Sequence, residues 1–349
     1  MKIPPLKRTM RFMSAYRVPD GLLLACFITF AAVGWPRVHR AQQELLDSAT
    51  TSHSMPKALD QEPVPGIAGP LFVNTDLVTF NITVIDPQGR FVSGLKKDAF
   101  TIYDDKQPQT IEFFSADDTP LSIGIVVDVS GSMSGERINR AREALTHFIE
   151  VSDKRDDYFL IGFNSRAQLL VDNTDNTGAL LSTLAQVQPQ GNTALLDAVY
   201  LAVSKLQRAP HERRAVLLIT DGGENNSHYK LNQVSRLLKE SGVMLYSIGV
   251  LNRIDLVSKT GFSARVLLEE LAKATGGRGF FPQGITEMDD DFQNIALELR
   301  HQYSVGYKPK DLVLDGKWHH LKVAIRPTGD FPRLMVRNKQ GYFALSYPR

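Results

Sequence analysis

The spacing of apolar residues changes period along this chain, and each change marks a different kind of structure. Val78, Phe80, Ile82 and Val84 alternate with Thr79, Asn81 and Thr83, the period of two expected of a half-buried strand whose successive side chains face opposite ways. Asp86-Pro87-Gln88-Gly89 then turns the chain. Further strands are predicted at 101–103 and 110–114, on either side of the turn-rich DDKQP, so residues 71–120 read as a small all-β unit. From about Leu121 the pattern becomes short apolar runs separated by amphipathic stretches. Runs at 122–129, 158–163, 215–220 and 243–250 predict buried strands, with 278–281 closing the sheet and 168–171 as an edge partner. Between them, Ile138, Ala141, Leu145, Phe148 and Ile149 form one helical stripe, and Leu195, Leu196, Val199, Val203 and Leu206 another.

This alternation predicts an α/β fold over residues 121–301: a doubly wound, mostly parallel sheet with helices on both faces. After a last helix at about 287–299, strand patterns return at 303–307, 320–325 and 333–336. A few strands on each side are too few for two independent sheets. Residues 71–120 and 302–349 are therefore expected to pair into one small β-sandwich into which the α/β domain is inserted.

Composition alters the picture mainly at the N-terminus. With 349 residues and 43% hydrophobic content the chain can bury two domains' worth of core. Residues 1–40 hold seven Lys/Arg and one acid, a local +6 within an overall +2, which leaves −4 for the rest. A mildly acidic body gives no reason to expect a nucleic-acid surface. The basic stretch precedes the apolar run at 21–35, GLLLACFITFAAVGW, so residues 1–41 read as an export signal or an N-terminal membrane anchor. Its 15 residues fall short of the roughly 20 that span a bilayer comfortably, and Ala32 and Gly34 offer a processing site. The basic flank keeps the N-terminus cytoplasmic and sends the rest outward, to the cell envelope or beyond. Residues 42–70, rich in Ser, Thr and Pro, read as a disordered tether. The only cysteine, Cys26, lies inside the apolar run, so no internal disulfide is expected.

The candidate chemistry lies at strand ends. Asp128-Val129-Ser130-Gly131-Ser132 follows an apolar strand directly, and in open parallel sheets ligands bind just beyond the carboxyl ends of strands. One carboxylate and two hydroxyls offer hard oxygen donors. The run at 215–220 ends likewise in Asp221-Gly222-Gly223, and Gly191-Asn192-Thr193 supplies another hydroxyl before a helix. An isolated DxSxS is usually a turn with solvated serines; the three elements together, in order and at predicted element ends, are far more specific.

In that order, DVSGS, the Thr of GNTALLDAV and the Asp of TDGGEN resemble the metal-ion-dependent adhesion site (MIDAS) of von Willebrand factor A domains. The resemblance implies that Asp128, Ser130, Ser132, Thr193 and Asp221 hold a divalent cation directly or through water, and that the open coordination position accepts an Asp or Glu of a partner protein. Magnesium suits so few carboxylates, manganese can substitute, and calcium usually takes more protein oxygens. Asn192, Glu224 and Asn225 are expected at the rim of the partner surface. The flanking PQGRFVSGLKKDAFTIYDDKQPQTIEFFS and the terminal YSVGYKP, WHHLKV and GYFA are similar to bacterial VWFA-related domain proteins of acidobacterial type. Together these imply an exported, metal-dependent adhesion module that binds an extracytoplasmic protein without turnover.

Two rival readings remain. A structural envelope protein could keep the site as a vestige or only to stabilise its loops. A hydrolase is less well supported, because residues 131–135 read GSMSG with Met133 where a nucleophile elbow needs serine at the centre of GxSxG. Phosphate-loop and dinucleotide fingerprints are absent. His319 and His320 are adjacent on a predicted strand and should point to opposite faces, His228 reads as a solvated loop residue, and Asp289, Asp290 and Asp291 are expected to complement the start of the last helix.

Overall fold

The computed structural model describes residues 77–251, 259–310, 315–326 and 333–344. The basic leader, the apolar run at 21–35 and the tether lie outside the described residues. Among the described residues, no helix is long and apolar enough to cross a membrane.

The described residues begin with four strands, β1 (Val78–Ile85), β2 (Phe100–Asp104), β3 (Gln107–Gln109) and β4 (Ile111–Ser115). It then enters the α/β domain through β5 (Leu121–Asp128), whose eight residues are all buried. Burial of every position is what a continuous apolar run predicts for a central strand covered on both faces. Next come α1 (Glu136–Val151), β6 (Asp157–Phe163), β7 (Ala167–Thr174), α2 (Thr177–Gln186), α3 (Leu195–Leu206) and β8 (Arg213–Thr220). The domain closes with α4 (Leu231–Ser241), β9 (Met244–Gly249), α5 (Lys259–Thr275), β10 (Gly279–Phe280) and α6 (Ile285–Arg300). The sheet runs β10-β9-β8-β5-β6-β7, parallel except for the edge strand β7, which pairs antiparallel with β6. Helices α1, α2 and α6 pack on one face with Ile123, Ile125 and Val127. Helices α3, α4 and α5 pack on the other with Val126. Because the chain leaves β5 toward β6 and only later returns to β8 on the opposite side, the crevice between β5 and β8 is the topological switch point of the sheet.

Four strands follow or flank the last turns of the chain: β11 (Tyr303–Tyr307), β12 (Trp318–Ile325), β13 (Met335–Asn338) and β14 (Gly341–Phe343). They do not form a sheet of their own. One four-stranded sheet runs β13-β1-β11-β4 and the other β14-β12-β2-β3, so each contains strands from both ends of the described chain. Ile82, Val84, Ile102, Tyr303, Val305, Tyr307 and Leu321 fill one core between them. Ser115, where β4 ends, is paired with Ser304 at the start of β11, so the α/β domain leaves and re-enters the sandwich on neighbouring strands. Arg300 fastens this junction: it bonds Asp118 at 3.1 Å and pairs with Asp156, whose other oxygen accepts the Leu121 N–H at 2.9 Å. Glu298 of α6, also buried, accepts from Thr83 of β1 (3.0 Å) and Tyr246 of β9 (2.8 Å) and pairs with Arg337 of β13.

The structure departs from the sequence pattern in three places. The Pro-containing β3 and the short β14 carry too few residues to show alternation, and both are held by partners across the sheet. Helix α2 buries only Leu180 and Leu184, so its stripe is weak. Helix α6 starts at Ile285, earlier than expected, which places Asp289, Asp290 and Asp291 in its second turn, with Glu287 the acid of the first. The aspartates therefore do not cap the helix; Asp289 pairs with His147 of α1 at 3.0 Å, and burial pushes the Asp291 carboxyl up to about 6.

Candidate metal centre at the sheet's switch point

Strand β5 delivers Asp128 to the carboxyl edge of the sheet with no exposed surface. Both oxygens are committed: one accepts the Ser130 N–H at 2.8 Å and the other the Thr220 hydroxyl at 2.6 Å. Burial pushes its carboxyl up to about 6, opposed by these hydrogen bonds and reinforced by the Asp221 charge. A cation here would relieve both the desolvation and the repulsion between the two carboxylates. Ser130 is 1% exposed, and its hydroxyl stands 3.1 Å from that of the exposed Ser132.

The other two loops are locked to the first. The Gly131 N–H donates to the Gly191 carbonyl at 3.0 Å, which draws the loop before α3 against the DVSGS turn. Buried Thr193 donates its N–H to the Asn225 side chain at 3.0 Å, and the Asn225 and Asn226 N–H groups donate back to its carbonyl. A Cβ at Gly223 would lie 3.3 Å from Asp221 Oδ1 and 3.4 Å from Thr193 Oγ1, so both donors crowd one bare stretch of backbone. Gly222 has φ +78°, and a Cβ there would meet Ala264 of α5 at 2.5 Å, so the turn after β8 needs glycine for both conformation and space. All five residues singled out in the sequence thus lie on three mutually bonded loops at the switch point.

The rim differs from expectation at one position. Asn192 and Asn225 are exposed. Glu224 instead turns inward: its carboxylate accepts from the N–H groups of Leu196, Asn226 and Ser227 and from the Ser227 hydroxyl, at 2.7–3.2 Å. A carboxylate offered four nearby donors at the start of α3 is held by them, and it braces the loop. His228 is 90% exposed and pairs with Asp197 at 2.9 Å.

Sequence patterning gave no signal for Arg137. From the first turn of α1 its guanidinium reaches Asp221 at 2.9 Å and the Ser132 carbonyl at 3.1 Å, placing a fixed positive charge beside the donors. Thr220 was also missed as the partner of Asp128, since a threonine ending a strand looks like any β-former. Met133, at the centre of GSMSG, has no exposed surface and belongs to the core.

Residues 123–224 match the family model described as von Willebrand factor type A domain. Over 239 residues the chain is 32% identical to inter-alpha-trypsin inhibitor heavy chain H4 of Bos taurus, covering 59% of this chain and 26% of that protein. The chain spans about a quarter or less of the length of the first curated relatives it matches. Among solved structures, the conserved hypothetical protein BatB of Bacteroides thetaiotaomicron aligns with 51% of this chain and 98% of its own at 20% identity and a TM-score of 0.42. Proximal thread matrix protein 1 of the mussel byssus, solved with a zinc-occupied MIDAS motif, aligns with 55% and 48% at 17% identity and a TM-score of 0.43. The matched segment runs from β5 through the TDGGE loop and so contains all five donors, and over that segment the chain is similar to the von Willebrand factor type A domain family.

Proposed function

We propose that this chain is a metal-dependent protein-binding module that works outside the cytoplasm. Asp128, Ser130, Ser132, Thr193 and Asp221 hold a divalent cation, magnesium in preference to calcium, and the site takes up an Asp or Glu side chain of a partner protein. The observation that carries this reading is the convergence of five oxygen-bearing side chains, from three loops bonded to one another, at the switch point of a parallel sheet. Two carboxylates and three hydroxyls are a hard donor set suited to a small, partly hydrated ion. When bound, the ion supplies an electrophilic position that an anionic side chain can occupy. The residues of the chain do the rest. Thr220 and the Ser130 N–H orient Asp128, Asn225 holds Thr193, Glu224 braces the loop behind them, and exposed Asn192 and Asn225 discriminate among partners. The basic leader and apolar run at 21–35 support delivery to the envelope, as a cleaved signal or as an anchor.

Arg137 favours a second reading, in which the site only stabilises its loops, because a guanidinium on Asp221 already supplies positive charge. Magnesium calorimetry, with capture from envelope extract in magnesium or in chelator, separates the two. Metal-dependent capture that is lost in Asp128→Ala supports the binding module. Capture retained in that variant sinks it, and metal binding with no metal-dependent capture leaves the structural reading.

A further inference from the structure

Where β2, β12 and β14 meet in the sandwich, three side chains that the site above does not use converge on one point. Strand register brings them together: Asp104 pairs with Leu321, and His319, two residues before Leu321, shares its face. Tyr342 is paired with His319 and stacks on its ring at 5.3 Å. His320 points to the other face, beside Trp318. Asp105 and Lys106 form the β2–β3 turn with φ of 44° and 70°, and Asp105 is pinned to β12 through its own N–H to the His320 carbonyl and the His320 N–H to its Oδ1, both 2.9 Å. That leaves Asp105 Oδ2 aimed at His319 Nδ1, 3.0 Å away, while Asp104 Oδ1 lies 3.6 Å from the same nitrogen. The three donor atoms all fall within 4.8 Å of one another.

We infer that Asp104, Asp105 and His319 form a second metal site, one for a transition-metal dication of the zinc class, separate from the site at the switch point. Asp104 carries the argument. It is 5% exposed; its Oδ2 accepts from Tyr307 (2.7 Å) and Tyr342 (2.8 Å), yet its Oδ1 has no hydrogen-bond partner. A single Nδ1–H can satisfy only one acceptor, and Asp105 is the nearer, so an ion pair alone leaves the buried Oδ1 bare. A cation between the three atoms satisfies all of them. Zinc bonds of about 2.0–2.2 Å set neighbouring donors roughly 3.3–3.6 Å apart in a tetrahedron, and the two distances to Nδ1, 3.0 and 3.6 Å, span that spacing. An imidazole nitrogen disfavours magnesium and calcium and suits zinc, nickel or iron(II). The surroundings fit as well: two tyrosine hydroxyls orient the Asp104 carboxylate, and His319 Nε2 faces the Asp315 carboxylate at 3.8 Å, the kind of outer partner that fixes a ligating imidazole. Asp105 is half exposed, leaving the fourth position open to water.

The test is calorimetric titration of the full chain with zinc chloride under saturating magnesium, using Asp128→Ala as background so that the switch-point site cannot contribute. One equivalent of zinc should bind, and it should raise the thermal unfolding temperature. Asp105→Asn keeps the Oδ1 acceptor for His320 and the left-handed turn but replaces the ligating oxygen with an amide nitrogen; zinc affinity should fall at least tenfold while the zinc-free unfolding temperature holds. His319→Ala should abolish binding. Absence of zinc binding in the Asp128→Ala chain overturns the inference, and so does unchanged zinc affinity in Asp105→Asn. Because magnesium capture at the switch point is read separately, either site can fail without the other.

Discussion

Asp128 and Asp104 are both buried carboxylates ending a β-strand, and their partners come from very different places. Around Asp128 the ligand set is gathered by the loops leaving two adjacent parallel strands and by the loop that leads into α3. Around Asp104 it is gathered by antiparallel register between strands from opposite ends of the described chain, with Tyr307 lying 203 residues away. The first arrangement is assembled by a single α/β unit; the second exists only once the sandwich has closed. Chemistry differs accordingly, with hydroxyls and carboxylates at the edge of the parallel sheet and imidazole with carboxylates in the sandwich.

That contrast can be broken most forcefully at Glu298, which ties the two regions together. Glu298→Ala leaves the half-buried Arg337 without its counter-charge and the buried Tyr246 hydroxyl without its acceptor, and should cost about 2–3 kcal/mol, read as a lower denaturant midpoint; separate transitions for the two regions would show that this contact couples them. Next comes Asp128→Ala, which should weaken magnesium binding about 100-fold or more in calorimetry while leaving zinc binding at Asp104 intact. Loss of both would mean that the regions are not independent. Gly222→Ala forces a Cβ against α5 at an unfavourable φ and should destabilise by about 1–3 kcal/mol, with magnesium affinity falling in step; thermal melts and calorimetry on one sample decide it. Arg137→Ala removes a cation beside the donors and should tighten magnesium binding severalfold; weaker binding would make Arg137 an orienting group for Asp221. Smallest is the His147–Asp289 pair. Hydrogen bonding to Asp289, and then its charge, raise His147 above its ordinary 6.5, so the pair's contribution is fully present below that value and is lost as pH rises through the raised one. His147→Ala should flatten this slope in α/β-domain probes and leave the sandwich unmoved.

The α/β domain was largely legible because its signals are local. An apolar run such as 215–220 announces a buried strand, and Asp221-Gly222-Gly223 directly after it announces the edge of a sheet; no distant residue is needed to read either. Four of the five switch-point donors fall in such places, and Thr193 directly precedes a helix whose apolar stripe is equally local. Glu224 misled because a charged loop residue beside a site looks exposed, and only the bare N–H groups at the start of α3 reveal why it turns inward. Arg137 carries no pattern at all, since its role depends on reaching across to another loop. The sandwich shows the same limit on a larger scale. Alternation at 78–84 predicts a strand but not its neighbours, and His319 looked isolated because its register against Asp104 and Asp105 is a tertiary fact.

The interleaving of the two outer sheets also fixes an order of events during synthesis. β1 and β4 pair with β11, and β2 with β12, so β1, β2 and β4 leave the ribosome long before these partners exist. At about 5–20 residues per second, a separation of 203 residues is a wait of roughly 10–40 s. Throughout it, β1 and β4 present unpaired edges to whatever else is nearby. Pulse-labelled nascent chains arrested after Arg300 should accordingly show a protease-resistant α/β core beside digestible first strands, and protection of those strands before β11 emerges would refute that order.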